Sequence, residues 1–217
     1  YREGENPARW KGHLDKLLPS PSKIAKVNHF TALSYKEIPE FMQRLRNQPG
    51  IGAAALEFAI LTATRSGEVR GALWPEINLT ERLWLIPADR MKAGREHRIP
   101  LSDAAIALLE RMKELHVSDF VFPGNKQDKP LSDMSLTAVL KRMERGDLTA
   151  HGFRSTFRDW ASETTAYPQE VCEMALAHTI ANKVEAAYRR GDLFDKRIKL
   201  MTDWASYCNG TAAAIRS

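Results

Sequence analysis

Residues 51–69 read IGAAALEFAILTATRSGEV, an apolar run with an abrupt polar ending. Between residues 51 and 63, apolar side chains occur on nearly every side of a helix, and Glu57 is the only charged residue. Because such a helix has no face suited to water, we predict that it is central and buried. Arg65 follows its end, and Ser66-Gly67 begin a new turn that places Glu68 close enough to orient Arg65.

The sequence around this helix predicts a mainly α fold with a small antiparallel β-sheet (α+β). Ser34 and Glu37 form a capping box before a helix that extends to about residue 47. Residues 77–101 are rich in strand formers, interrupted by a turn at residues 91–95, which predicts two or three antiparallel strands. Ser102 then caps a helix, and helical periodicity dominates to the end of the chain.

Composition limits the possible classes of function but does not identify one. The chain has 217 residues and 43% hydrophobic residues, enough for one large domain with a short appendage. A net charge of +5 fits nucleic-acid binding but does not require it. The two cysteines, Cys172 and Cys208, favour neither a disulfide framework nor a multi-cysteine metal site, which suggests a reducing cytosol. No apolar run reaches the roughly 18 residues of a membrane-spanning helix, and no signal peptide is visible.

Several side chains could act on a phosphodiester, although each has a simpler explanation when taken alone. An arginine matches the oxygens of a phosphate bidentately, but it can equally form a surface ion pair. A histidine at a helix start is more often structural, and a tyrosine beside alanines is more often part of a core. The candidates are Arg65, Lys92 in the predicted hairpin turn, His151 and Arg154 three residues apart, His178, and Tyr188 ten residues later. Tyr1, Tyr35, Tyr167 and Tyr207 compete with Tyr188.

In this order, the six candidates resemble the signature of the tyrosine site-specific recombinases. Three local phrases are also similar to that family: TATRSGEV at residues 62–69, HGFR at 151–154, and HTIANKVEAAY at 178–188. The strongest similarity is to the phage-integrase branch found in prophages and genomic islands. Residues 6–10 and 29–33 resemble the linker between the core-binding and catalytic domains of that branch. Ala177 departs from the pattern, since many members have glycine before the histidine.

The resemblance implies a fragment of a longer protein with two parts. Residues 1–30 would be an interdomain linker or the tail of an upstream core-binding domain, consistent with their irregular, proline-containing sequence. Residues 31–217 would be the catalytic domain with the integrase catalytic-core fold. The absence of an initiator methionine at Tyr1 also suggests a fragment.

The resemblance also implies a reaction. Tyr188 would attack the scissile phosphorus and form a 3′-phosphotyrosyl bond, while His151 helps to take the tyrosine proton. Lys92 would protonate the 5′-oxygen leaving group. The covalent bond conserves the energy of the phosphodiester, so the reaction would reverse without ATP.

Charge neutralisation would come from the remaining signature residues. Arg65 and Arg154 would neutralise the non-bridging oxygens, His178 would donate a hydrogen bond to the phosphate, and Glu68 would support Arg65. Because these groups supply the positive charge and the sequence has no cluster of carboxylates for paired Mg²⁺, we expect neither a metal nor another cofactor.

The implied partners are double-stranded DNA attachment sites, further copies of the chain in a tetramer on DNA, and accessory DNA-bending or directionality proteins. Cationic side chains that could contact the DNA backbone are Arg90, Arg95, Arg98, Lys141, Arg142, Arg145, Arg189 and Arg190. Such contacts position a protein on DNA without specifying sequence, and they predict a steep loss of affinity with salt. The implied location is the bacterial cytoplasm, in association with the nucleoid.

The last helix, residues 193–210, has an apolar stripe at Phe194, Ile198, Met201, Ala205 and Cys208. The stripe could pack on its own domain, as most amphipathic helices do, or dock onto a neighbouring subunit, as the family suggests. Two other functions stay open: a catalytically silent DNA-binding remnant, and a DNA relaxer similar to the type I topoisomerases, which share this active-site design.

Overall fold

The computed structural model describes residues 6, 8–18, 31–115, 118–126, 128–178 and 191–211. Contacts divide the chain into two units, residues 1–30 and 31–217. In the described part of the first unit, an irregular helical segment at Trp10–Leu14 is followed by one helical turn at Asp15–Leu17. The second unit contains the hydrophobic core.

The second unit consists of helices and a small sheet. Its helices are α1 (Ile38–Arg46), α2 (Ile51–Thr62), α3 (Ser66–Arg70), α4 (Asp103–Glu114), α5 (Ser135–Arg142), α6 (Gly152–Thr164), α7 (Gln169–Ala175) and α8 (Phe194–Cys208). Its strands are β1 (Ile77–Asn78), β2 (Leu83–Ile86) and β3 (His97–Pro100). No described helix is long and apolar enough to cross a membrane.

Helix α2 is the central element, as its sequence predicts. It contacts α1, α3, α4, α5, α6 and α8, so apolar side chains are needed around its whole circumference. The helix ends at Ala63, whose left-handed conformation (φ 53°) turns the chain towards Arg65. The buried position of α2 therefore fixes where Arg65 can lie.

The sheet has three antiparallel strands in the order β1-β2-β3, which confirms the prediction from residues 77–101. Trp84 pairs with Ile99, and both side chains are buried, whereas Leu85 on the other face of β2 is exposed. This alternation is what a sheet with one covered face requires. The turn that carries Lys92 connects β2 and β3 through the short 3₁₀ helix Ala88–Arg90.

Helix α8 packs within its own domain. Trp204 is fully buried, its indole N–H donates to the Ile60 carbonyl at 2.8 Å, and its ring lies 4.9 Å from that of Trp160. The predicted stripe is right at Met201, Ala205 and Cys208, all of which are buried. These contacts place the apolar face in the core of the unit, so the alternative that it docks onto a neighbouring subunit is wrong for this face.

The remaining two stripe positions are corrected by the structure. Phe194 is half-buried, and Ile198 is 44% exposed. Arg197 is buried in their place because its guanidinium donates to the Asp192 carboxylate and to the Arg98 carbonyl. A charged residue can replace an apolar one in a core where its hydrogen bonds are satisfied.

One of the two predicted helix caps is wrong. Ser34 precedes a 3₁₀ turn (Tyr35–Glu37) and makes no capping hydrogen bond with its side chain, and Glu37 lies 3.7 Å from Arg145 instead. Ser102 does cap α4, because its hydroxyl accepts a hydrogen bond from the backbone N–H of Ala105.

Candidate active site

Arg65 is held at the start of α3 by Glu68. One carboxylate oxygen of Glu68 accepts from the backbone N–H of Arg65 at 2.8 Å, and the other accepts from its Nη1 at 2.7 Å. Glu68 is buried, while the Arg65 side chain keeps 26% of its surface exposed. Arg65 Nη2 also donates to the Ala177 carbonyl at 3.3 Å. A fixed guanidinium of this kind is ready to bind an anion because little side-chain freedom remains to be lost.

Arg154, on α6, extends its guanidinium towards Arg65. Its Nη1 donates to the Ala63 carbonyl and its Nη2 to the Leu176 carbonyl, both at 2.6 Å. Burial, and then the nearby charge of Arg65, lower the pKa of Arg154 to about 10. The guanidinium is therefore still charged at neutral pH, and an anion placed beside both arginines would relieve their repulsion.

The Leu176 and Ala177 carbonyls that bind these arginines precede His178 directly. Ala177 has a left-handed conformation (φ 48°), which glycine adopts at no steric cost. This explains why glycine suits the position, and why alanine is tolerated there at a cost of roughly 1 kcal/mol. Beyond Ala177, His178 turns back so that its Nε2 lies 3.2 Å from Arg154 Nη2.

His151 precedes α6 and joins the same group of charges. Its pKa is lowered by burial first, and then by Arg154, Arg65 and His178. At neutral pH the ring is therefore mainly neutral, the form that can accept a proton. The structure brings four predicted residues, Arg65, His151, Arg154 and His178, into one cluster.

One predicted catalytic residue lies apart from this cluster, and another falls outside the described residues. Lys92 is exposed in the turn between β2 and β3, and no hydrogen bond or ion pair with the described residues joins it to the arginines. Tyr188 lies outside the described residues, as do Arg189 and Arg190.

Three competing tyrosines are engaged elsewhere. The Tyr35 hydroxyl donates to Glu163, and this hydrogen bond and then burial raise its pKa. The Tyr167 hydroxyl donates to Asp203, and burial and then this hydrogen bond raise its pKa. Burial also raises the pKa of Tyr207, whose ring stacks on Trp204. A raised pKa disfavours the phenolate that attacks phosphorus, so these tyrosines are poor nucleophiles.

Arg90 forms hydrogen bonds within its own domain, and its contact with DNA stays a prediction. Its guanidinium binds the Glu76 carboxylate, and its Nη2 donates to the Glu68 carbonyl at 2.7 Å. The Trp84 indole also donates to Glu76, at 3.0 Å. Through these bonds Arg90 connects the base of the hairpin to α3.

The other predicted cationic contacts differ in how open they are. Arg95 and Lys141 are exposed, whereas Arg98 is half-buried over the Phe194 ring, 4.1 Å from its centre. Arg145 pairs with Asp147. Arg142 donates to the Gln48 side chain and to the Pro49 carbonyl, and both residues precede α2. Arg65 follows the other end of α2, about 18 Å further along the helix axis. Arg142 is therefore remote from the cluster.

His97 lies on β3 next to the basic hairpin turn, and its side chain is buried. Burial, and then the charge of Arg197, lower its pKa to about 4, and its Nε2 has no hydrogen-bond partner among the described residues. His97 is therefore neutral at pH 7 and adds no positive charge to the hairpin.

A pH-dependent stability follows from His97. Between its usual pKa of about 6.5 and the folded value of about 4, the unfolded chain binds a proton that the folded chain does not. We expect the free energy of unfolding to fall by roughly 3 kcal/mol through this group as the pH falls across that window. Urea unfolding of wild type and His97→Leu between pH 7 and pH 4 should show a smaller pH slope in the variant.

The exposed His13 supplies the control, since His13→Leu should leave the slope unchanged. Titration of the His97 ring near pH 6.5 in the folded protein, followed by NMR, would contradict this account even if His97→Leu did not fold.

Sequence reasoning missed Glu173 and Arg158. Glu173 Oε2 lies 2.6 Å from His178 Nδ1, and Arg158 Nε donates to the other oxygen of the same carboxylate. The only signal was a glutamate on the helix before His178, a pattern too common to single out.

Known proteins resemble this chain in sequence. The model of the phage integrase family matches residues 31–193. The chain is 38% identical to the prophage integrase IntA of Escherichia coli K12 over 198 residues, which are 89% of this chain and 47% of IntA. It is 32% identical to the integrase of Enterobacteria phage P4, over 84% of this chain and 46% of that protein. The chain thus spans about half the length of these relatives.

Solved structures show the same fold. The lambda integrase catalytic core superposes with a TM-score of 0.52 at 20% identity, covering 70% of this chain and 94% of that core. The integrase of mycobacterium phage Brujita gives a TM-score of 0.62 at 16% identity, covering 82% of this chain and 59% of that protein. Together with the family match over most of its length, these similarities show that the chain belongs to the phage integrase family.

Proposed function

We propose that residues 31–217 form the catalytic domain of a site-specific DNA recombinase, which integrates and excises a prophage or genomic island. The observation that carries the proposal is the convergence of Arg65, Arg154, His151 and His178 on one place. Two guanidinium groups fixed by carbonyl oxygens form a site for a phosphodiester, and two imidazoles beside them can move or hold protons.

In the proposed reaction, the Tyr188 oxygen attacks the phosphorus while the P–O5′ bond breaks. His151 accepts the phenolic proton, and Lys92 gives a proton to the leaving 5′-oxygen. Arg65 and Arg154 stabilise the charge that develops on the non-bridging oxygens. The product is a 3′-phosphotyrosyl bond and a free 5′-hydroxyl, and attack by the 5′-hydroxyl of another strand completes strand exchange.

Lys92 must approach the cluster for this step. It lies in an exposed turn whose base is fixed by Arg90 and Glu76. The exposed tip leaves the Lys92 side chain open to a contact with the DNA backbone, while Arg90 and Glu76 hold the base of the turn. Glu68 would act through Arg65, as the hydrogen bonds between them indicate.

The wider assignment extends beyond this chain. We infer that residues 1–30 belong to a linker or the tail of an upstream domain, and that the protein acts as a tetramer on double-stranded attachment sites, with accessory proteins. Lambda integrase, which has this fold, has been solved as a tetramer bound to a Holliday junction. The relatives come from a bacterium and phages, so the reaction would take place in the bacterial cytoplasm, at the nucleoid.

A suicide substrate tests the function. The full-length protein is mixed with nicked duplexes tiled across the boundaries of the genomic element that encodes it, so that the cleaved fragment escapes. Wild type should accumulate a covalent protein–DNA adduct without ATP and in the presence of a chelator, because arginines supply the neutralising charge. Tyr188→Phe should form at least about 10³-fold less, since the nucleophile is missing.

The same full-length protein and nicked duplexes distinguish the other two functions. A silent DNA-binding remnant would bind the duplexes and form no adduct with any of them. A relaxer would form the adduct and remove supercoils from a plasmid, but would not exchange strands between two attachment sites.

A further inference from the structure

The Glu173 carboxylate bridges the candidate active site and the helix behind it. It accepts from Arg158 with one oxygen and lies 2.6 Å from His178 Nδ1 with the other. The backbone N–H of His178 also donates to the Glu173 carbonyl, at 3.0 Å. Both the chain and the ring of His178 are therefore held by the same residue.

These contacts indicate which ring nitrogen of His178 carries a hydrogen. An ionised carboxylate only accepts hydrogen bonds, so Nδ1 carries a hydrogen. A guanidinium only donates, so Nε2, which lies 3.2 Å from Arg154 Nη2, accepts. Without DNA the ring is consequently in the Nδ1–H form, and its Nε2 lone pair is directed at Arg154.

A phosphate beside Arg154 changes this arrangement. The phosphate oxygen is a stronger acceptor for the guanidinium than a neutral imidazole, so Nε2 is released. To donate to that phosphate, Nε2 must take up a proton from solvent, while Nδ1–H remains hydrogen-bonded to Glu173. The titratable and charged groups facing the ring are Glu173 from α7, Arg154 from α6, and His151 directly before α6. Of these, Glu173 alone can neutralise an imidazolium.

We propose that Glu173 is a positioning residue for His178, which directs Nε2 at the scissile phosphate and balances the charge of the ring when it donates. Arg158 keeps the carboxylate pointed at the ring. The proposal rests on the proposed function, and it adds a residue that sequence patterns did not indicate.

The test uses the full-length protein and the suicide substrate at saturating DNA. Glu173→Ala should slow adduct formation by about 10–100-fold, by analogy with the loss of a carboxylate that orients a metal-bound histidine, with DNA affinity changed less than about twofold. Glu173→Gln should lose less, because its amide oxygen still accepts from Nδ1–H. Glu163→Gln is the matched control: Glu163 bonds Tyr35 on the outer side of α6, and its substitution should leave the rate unchanged.

A double-mutant cycle separates positioning from a merely structural role. In a His178→Ala background, Glu173→Ala should have no further effect, because the residue it positions is gone. An equal loss in both backgrounds, or a wild-type rate in Glu173→Ala, would overturn the proposal.

A measurement without DNA distinguishes failure of this inference from failure of the proposed function. NMR of ¹⁵N-labelled histidine should show a protonated Nδ1 in His178 of wild type, and a mixture of tautomers in Glu173→Ala. Protonation of Nε2 instead in DNA-free wild type would overturn the inference, whether or not the protein cleaves DNA.

Discussion

Arg154→Lys is expected to slow covalent adduct formation by about two to three orders of magnitude, the effect of removing one donor from a preorganised anion site. The guanidinium is buried and donates to the Ala63 and Leu176 carbonyls while it faces His178. An ammonium group cannot span both carbonyls and still present a planar pair of donors to a phosphate. Because the positive charge would remain, the loss of cleavage rate would report the contribution of the guanidinium geometry.

The rate should be measured as single-turnover cleavage of the suicide substrate, alongside the melting temperature. Arg82→Lys is the control, because Arg82 is exposed and pairs only with the exposed Asp103 among the described residues. A cleavage rate for Arg154→Lys within about threefold of wild type would remove Arg154 from the proposed phosphate clamp.

Gly152→Ala is expected to lower the free energy of unfolding by about 3 kcal/mol or more, at the upper end of overpacking effects. A Cβ at this position would lie 2.3 Å from the Thr31 carbonyl oxygen and 3.1 Å from Ala32 Cα. Both are backbone atoms, so no side chain can rotate away. The nearby Leu33 carbonyl is also held, by the Thr156 hydroxyl at 2.6 Å. The segment before α1 must therefore shift, and α6 with Arg154 would shift with it.

Gly67→Ala is the matched control for this substitution. Gly67 lies within α3, and a Cβ there would meet nothing within 4 Å. Alanine should raise stability slightly, by roughly 0.4–1 kcal/mol, because it restricts the unfolded chain. Urea unfolding measures both variants. A loss below about 0.5 kcal/mol for Gly152→Ala would contradict the close approach of α6 and residue 31.

The central helix and the sheet were predictable because their signals are local. An apolar circumference at residues 51–63 has no other stable solution than burial, and strand formers interrupted by turn residues at 77–101 predict a hairpin sheet. The order of Arg65, Lys92, His151, Arg154, His178 and Tyr188 was informative because the resemblance connects positions that are distant in sequence. Four of the six meet in the structure; Tyr188 lies outside the described residues.

The remaining features depend on tertiary contacts that no periodic pattern in the sequence reveals. Arg197 is buried because Asp192 and the Arg98 carbonyl lie close to it, and this displaced Ile198 from the predicted stripe. Arg90 faces inward because Glu76 is within reach of its guanidinium. Glu173 became a candidate only when its distance to His178 was known. Side-chain pairing across helices decides each of these positions.

The most direct test of the central claim is to identify the residue that carries DNA after cleavage. The adduct of the full-length protein is digested with nuclease and trypsin, and the modified peptide is sequenced by mass spectrometry. We predict that a nucleotide is attached to Tyr188 within the tryptic peptide Val184–Arg189. Attachment to Tyr167, which trypsin leaves in the separate peptide Asp159–Lys183, or to any other residue, would contradict the proposed mechanism.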